Sequence, residues 1–178
     1  MTAERNKTEE KNPQIENSQL INCKFIDYVL LPENIHQQVY AARISDSIRF
    51  QMTNSDIFPY TGHIEFVKSL RNNDSKKYWA FCDNECFIAS VCLHPVYWEQ
   101  RWGEWGIYMN PVYMGKNIAR HIAGMFFDYL TENTSIELVK ARVKISNTRS
   151  INFHERIGFH IVNDNGIYIC LENNLKNI

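Results

Sequence analysis

Between Trp102 and Phe159 the chain alternates strand, turn, long helix, strand and short helix, and this alternation constrains the fold more than any other feature. The run from Glu104 to Met109 carries aromatic and apolar residues and is stopped by Asn110-Pro111. A helix is expected from about Gly115 to Leu130, with Ile118, Ile122, Phe126 and Leu130 on one face. Leu138 to Ile145 reads as the next strand, and Thr148 to Ile157 as the short helix, closed by Gly158-Phe159. A turn that feeds a helix N-terminus offers free backbone N–H groups and the positive end of a dipole, where a pyrophosphate can sit. The segment therefore predicts a cosubstrate that bears a nucleotide.

The remainder supplies strands and helices for one mixed α/β sheet. Met1 to about Gln19 is polar and charged and predicts a disordered tail, leaving residues 20–178 as a single domain. Leu20 to Leu31 reads as a first strand, and Ile35, Val39 and Ala42 give a helix from Pro32 to about Ser45. Ser45 to Pro59 reads as irregular. Thr61 is placed to cap a second helix with Ile64, Val67 and Leu70 as its stripe. Tyr78–Cys82 and Glu85–His94 predict a hairpin about Asp83-Asn84, followed by an aromatic loop from Pro95 to Gly103. Phe159–Val162 and Gly166–Leu171 are expected as closing strands.

Composition narrows the class. The 178 residues have room for one domain with a core, and a formal net charge of −1 provides no basic field for nucleic acid. No apolar run approaches the ~20 residues that span a membrane. The N-terminus lacks the basic-then-apolar order of a secretory signal, so a soluble cytoplasmic protein is expected. The five cysteines are an odd number, and the pair Cys82/Cys86 flanks a turn with no second pair to complete a zinc site. Free thiols and no metal are expected.

The stretch Asn147-Thr148-Arg149-Ser150-Ile151-Asn152-Phe153-His154-Glu155-Arg156-Ile157-Gly158-Phe159 resembles the closing motif of the GNAT superfamily of acyl-CoA N-acetyltransferases. In the family's pyrophosphate turn, Arg/Gln, Gly and Gly/Ala stand where this chain has Met114, Asn117 and Ala119, with Gly115 between them. The resemblance runs over about Leu20 to Leu171. It implies a GNAT fold, a mixed central sheet flanked by helices, with acetyl-CoA as cosubstrate. Arg43 to Met52 and His63-Ile64-Glu65-Phe66 are similar to the nucleotide-amino-sugar N-acetyltransferases of the pseudaminic-acid type, with Gln51 where those relatives carry Trp. Those enzymes acetylate the 4-amino group of a UDP-linked deoxy amino sugar. Dimers are common among the resembling enzymes, so the analogy allows a homodimer while the sequence itself leaves the oligomeric state open.

Acetyl transfer to an amine requires a held thioester, a deprotonated amine, a donor for the oxyanion and an acid for the thiolate. Met114, Gly115, Lys116, Asn117, Ile118, Ala119 and Arg120 are expected to hold the pyrophosphate, and Tyr108 and Met109 the pantetheine arm. Asn147 and Ser150 complete the cosubstrate set implied by the resemblance. Glu104 is the candidate base, against the reading of a solvated strand-end carboxylate. His154 occupies the position that the resembling families give to Tyr or His beside the sulfur, so it is the candidate acid, against simple packing. An imidazole suits that task because its pKa of ~6.5 keeps both forms accessible near neutrality.

Tyr108, Met52 and Phe66 are the candidate acceptor contacts, with core filling as the alternative for each. Other acceptors stay open: a peptide N-terminus, or a small amine or herbicide-like amino acid. A non-catalytic acyl-CoA sensor or scaffold is the alternative outside enzymes.

Overall fold

Alternation along the strands builds a sheet with two dressed faces. The computed structural model of the protein describes residue 20, residues 22–115 and residues 117–177. The expected tail over residues 1–19 and the candidate Lys116 lie outside the described residues. The strands are β1 (Cys23–Asp27), β2 (Lys77–Asp83), β3 (Cys86–Tyr97), β4 (Trp102–Met109), β5 (Leu138–Lys144), β6 (His160–Asp164) and β7 (Tyr168–Asn174). They form one sheet in the order β1-β2-β3-β4-β5-β7-β6. All neighbours are antiparallel except β4 and β5, which run parallel. A parallel pair needs a crossover, and α4 (Ile118–Asn133) supplies it.

On one face α4 packs Ile118, Ile122, Ala123, Phe126, Phe127 and Leu130 against Trp79, Phe81, Val91, Trp105, Val139 and Ala141. The other face is covered over β2 and β3 by α1 (Glu33–Ile44) and α3 (Tyr60–Leu70), whose Ile35, Val39, Val67 and Leu70 meet Ala80, Cys82 and Phe87. The period-two switch between Trp79/Phe81 and Ala80/Cys82 is what assigns each helix layer its own core. A short helix α5 (Thr148–Arg156) links β5 to β6. This is the expected mixed-sheet fold.

Several local expectations are corrected. The first strand is shorter than Leu20–Leu31: Asp27 caps a 3-10 turn over Tyr28–Leu30, its carboxylate accepting from Val29 N at 2.9 Å. Within the stretch read as irregular, Asp46–Arg49 forms a one-turn helix, α2. Thr61 caps nothing, because α3 begins at Tyr60 after Pro59, a residue whose fixed φ suits a helix start. The aromatic loop is mostly strand: Tyr97 pairs with Trp102 across the β3–β4 hairpin and their rings stack at 4.4 Å. The long helix starts at Ile118, not Gly115, since Gly115 (φ 82°) and Asn117 (φ 58°) are both left-handed. No helix among the described residues is long and apolar enough to cross a membrane. Among them, no group of three or more His, Cys, Asp or Glu side chains gathers as a metal site.

Candidate active site

The parallel strands β4 and β5 pair over three residues only. Trp102 faces Leu138, Gly103 faces Val139 and Glu104 faces Lys140, after which the pairing ends. Both strands continue, β4 to Met109 and β5 to Lys144. From Trp105 onward, therefore, β4 is bonded to β3 on one side and has no β5 partner on the other. A wedge opens in the sheet, bordered by backbone groups able to hydrogen-bond an extended ligand.

Directly after β4 comes the turn into α4. Asn110 sets it, its Oδ1 accepting from Val112 N and its Nδ2 donating to Phe87 O. No side chain caps α4 at Asn117. The side chain of Ile118 is buried in the core, so what that residue offers a ligand is its backbone N–H. Gly115 and Arg120 are exposed, while Met114 and Ala119 are half-buried. Met109 packs its side chain on the α4-side core and opposes Ala89, which leaves its main chain for the wedge.

At the start of α5 the side chain of Asn147 is already engaged. Its Oδ1 accepts from Ser150 N at 3.1 Å and caps the helix. His154, one turn after Ser150, is 5% exposed and lies edge-on to Trp105 (5.8 Å) and Phe159 (5.0 Å). Burial pushes its pKa below the ordinary value, partly offset by its bond to the Ser150 backbone. Neither His154 Nε2 nor the neighbouring Trp105 Nε1 has a hydrogen-bond partner, though both atoms are buried. Trp105 is also the first residue past the last β4–β5 pair, so this acceptor and this donor lie at the apex of the wedge.

The opposite face of β4 presents Glu104, Gly106 and Tyr108. Glu104 is half-buried, which raises its carboxyl, while Arg142 at 3.5 Å on β5 pulls it back down. Tyr108 belongs to a cluster of hydroxyls with Tyr28 and Ser90. Burial, the largest influence, raises its phenol, and the charge of Arg43 acts against that.

Arg43, on α1, stands at the edge of this cluster. Its Nη2 donates to Asn54 O at 2.8 Å and its Cζ lies 5.8 Å from the Phe58 ring, but its buried Nη1 has no partner. Phe66 meets Tyr78 edge-on at 5.0 Å, and Tyr78 meets Tyr28 at 5.6 Å. Met52 is tied in from the other side, its carbonyl accepting from Lys144 Nζ at 2.8 Å.

The expected residues thus fall into three groups. Gly115 and residues 117–120 border the end of the wedge, His154 closes its apex from the α5 side, and Glu104, Tyr108, Phe66 and Met52 share the α1/α3 face. Sequence reading missed Tyr28, Ser90, Arg142 and Lys144. Ser90 carried a signal, as a polar residue inside an otherwise apolar strand. The residues present fit acetyl-CoA: an open strand edge, an uncapped helix start at one end of it, and two orphaned buried nitrogens at the other.

Comparison with known proteins agrees with this geometry. The model of the acetyltransferase (GNAT) family matches residues 47–159. No curated protein matches by sequence. Among solved structures, the Campylobacter jejuni N-acetyltransferase PseH in complex with acetyl coenzyme A superposes with a TM-score of 0.69 at 19% identity, over 85% of this chain and 98% of that one. The spermidine N-acetyltransferase of Vibrio cholerae in complex with CoA and spermine superposes with a TM-score of 0.77 at 14% identity, over 88% and 97%. At such identities these likenesses concern the fold.

Proposed function

Since this chain belongs to the GNAT acetyltransferase family, we propose that it transfers the acetyl group of acetyl-CoA to the 4-amino group of a UDP-linked deoxy amino sugar. The observation that carries the transfer is the β4–β5 wedge running into the uncapped start of α4. Backbone N–H groups at Ile118, Ala119 and Arg120 would hold the pyrophosphate, with Met114, Gly115, Asn117 and the main chain of Tyr108 and Met109 along the arm. Asn147 and Ser150 shape the α5 side. The bound cosubstrate supplies the activated acetyl group.

Glu104 is the proposed base. Burial raises its carboxyl and Arg142 opposes that rise; in its ionised form it takes the ammonium proton, directly or through water. His154 is the proposed acid on the sulfur side. It acts in that role only as an imidazolium, because its Nδ1 proton is committed to Ser150 O.

Arg43 carries the choice of acceptor. A guanidinium with one buried, unpartnered Nη1 favours an acceptor that brings an anion, and a phosphate suits it in geometry as well as charge. A polyamine would bring more positive charge to the same place. Met52 and Phe66 are the proposed contacts for the base.

The test is thiol release from acetyl-CoA with a UDP-4-amino-4,6-dideoxy sugar, spermidine, an Ala- or Ser-starting peptide and phosphinothricin, each repeated with added UDP. Release with the sugar nucleotide alone, inhibited by UDP, is the expected result. Release with another amine that is indifferent to UDP would overturn the acceptor.

A further inference from the structure

Three hydroxyls from three elements meet beside β4. Tyr28, in the turn after β1, donates its O–H to Ser90 Oγ on β3 at 2.6 Å. Tyr28 Oη also lies 3.2 Å from Tyr108 Oη on β4. Ser90 and Tyr108 are direct cross-strand partners in the β3–β4 register, so their side chains leave the sheet on the same face.

The proton count of this cluster fixes its direction. Tyr28 has one hydroxyl hydrogen and spends it on Ser90, so in the Tyr28–Tyr108 contact Tyr28 accepts and Tyr108 donates. Ser90 can in turn direct its own hydrogen at Tyr108, and the three groups then form a closed ring of donors. In such a ring each oxygen gives one hydrogen, receives one, and keeps a second lone pair. Tyr28 and Ser90 are each 2% exposed, and their remaining lone pairs face packed protein. Tyr108 is only half-buried and shares its strand face with Glu104 and Gly106.

We infer that Tyr28 and Ser90 are positioning residues that hold the Tyr108 phenol as a hydrogen-bond acceptor for the amine to be acetylated. With its hydrogen committed to Tyr28, the phenol cannot donate to the nitrogen and so does not occupy the lone pair that must attack. It accepts one amine N–H instead, and turns that lone pair away from itself. No covalent step is involved. The inference rests on amine acetylation by this site and does not depend on which amine is used.

The test is a double-mutant cycle of Tyr28→Phe and Tyr108→Phe, read as kcat/KM for the amine with the UDP-linked amino sugar, or with spermidine if the sugar nucleotide is inert. Each single change is expected to cost about three- to tenfold, the worth of one hydrogen bond. The double variant should be no slower than Tyr108→Phe, and the Kd for acetyl-CoA should be unchanged. Losses that multiply, or a Tyr28→Phe variant as active as the parent, would overturn the inference. Ser90→Thr should retain more activity than Ser90→Ala. A second measurement needs no acceptor: with 13Cζ-labelled tyrosine, Tyr28→Phe must shift the Tyr108 resonance. An unmoved resonance would mean the ring does not exist.

Discussion

Nδ1 of His154 donates to the carbonyl oxygen of Ser150, 2.7 Å away and one turn earlier on α5. A carbonyl can only accept, so the neutral ring carries its proton on Nδ1 and a lone pair on Nε2. Burial lowers the pKa below its ordinary value of 6.5, and the imidazolium population therefore grows as pH falls. If His154 gives its Nε2 proton to sulfur, His154→Phe lowers kcat by about a hundredfold while acetyl-CoA binds as before. Binding by calorimetry and turnover by thiol release make the comparison, and an unchanged kcat would leave the side chain a packing role among Trp105 and Phe159.

Glu104→Gln removes a carboxylate whose pKa is raised by burial and lowered again by Arg142. A base works when ionised, so the rate should climb as pH rises through that raised value, above the ordinary 4.5. The glutamine variant should lose that climb and about two orders of magnitude in kcat. Arg142→Ala should move the climb to higher pH, because the opposing charge is gone. A profile indifferent to both substitutions would remove Glu104 from the chemistry.

His36 and His63 lie between α1 and α3 with Nδ1 and Nε2 3.2 Å apart. Burial, then the neighbouring His36, depresses His63 from 6.5 to about 4. The unfolded chain therefore binds more protons than the native one between those values, and stability is lost as pH falls through the window. From pH 7 to pH 5 the loss due to His63 is about 2 kcal/mol, or roughly 4–8 °C in Tm. His36 and His154, also depressed by burial, act in the same direction. His63→Phe should reduce the slope of Tm against pH over this range; a slope undiminished by the substitution would contradict the assignment.

Asn117 holds a φ of 58° at the entrance to α4. Asparagine tolerates that region and glycine prefers it, whereas a β-branched residue is strained there by about 1–2 kcal/mol. Asn117→Gly should leave the KM for acetyl-CoA within about twofold. Asn117→Val should raise it about tenfold by turning the first helical N–H groups away from the phosphates. Steady-state kinetics at saturating amine separates the two.

The alternation over residues 102–159 was legible because each element there is long or strongly patterned. The α4 stripe Ile118, Ile122, Phe126 and Leu130 is fully in the core, and the β2–β3 hairpin forms one residue later than expected, turning at Asn84-Glu85 with Asp83 paired to Cys86 and Asn84 at φ 46°. Failures cluster where a short-range side-chain bond decides the backbone. Asp27 ends β1 by capping a turn, a local competition that hydrophobic pattern does not register. Tyr97 and Trp102 read as loop aromatics because their cross-strand stacking is a contact between two segments. The site shows the same division. The proposed cosubstrate residues 114, 115 and 117–120 follow from local turn chemistry, whereas the Tyr28–Ser90–Tyr108 cluster joins residues up to 80 positions apart. The enclosure of His154 depends on Trp105 arriving from β4 and on Phe159 folding back from the turn after α5.

The three-pair contact between β4 and β5 divides the sheet into two plates, one of strands β1 to β4 and one of β5 to β7. They are joined along the strands only near Trp102 to Glu104, and α4 and the Lys144–Met52 bond bridge the open end. A ligand threaded between the plates acts on the protein as a missing strand would, supplying partners to an edge the polypeptide leaves single. Occupancy and rigidity are then one quantity. Amides from Trp105 to Met109 that point into the wedge should gain protection from hydrogen exchange on saturation, while the equivalent amides facing β3 keep the protection they already have.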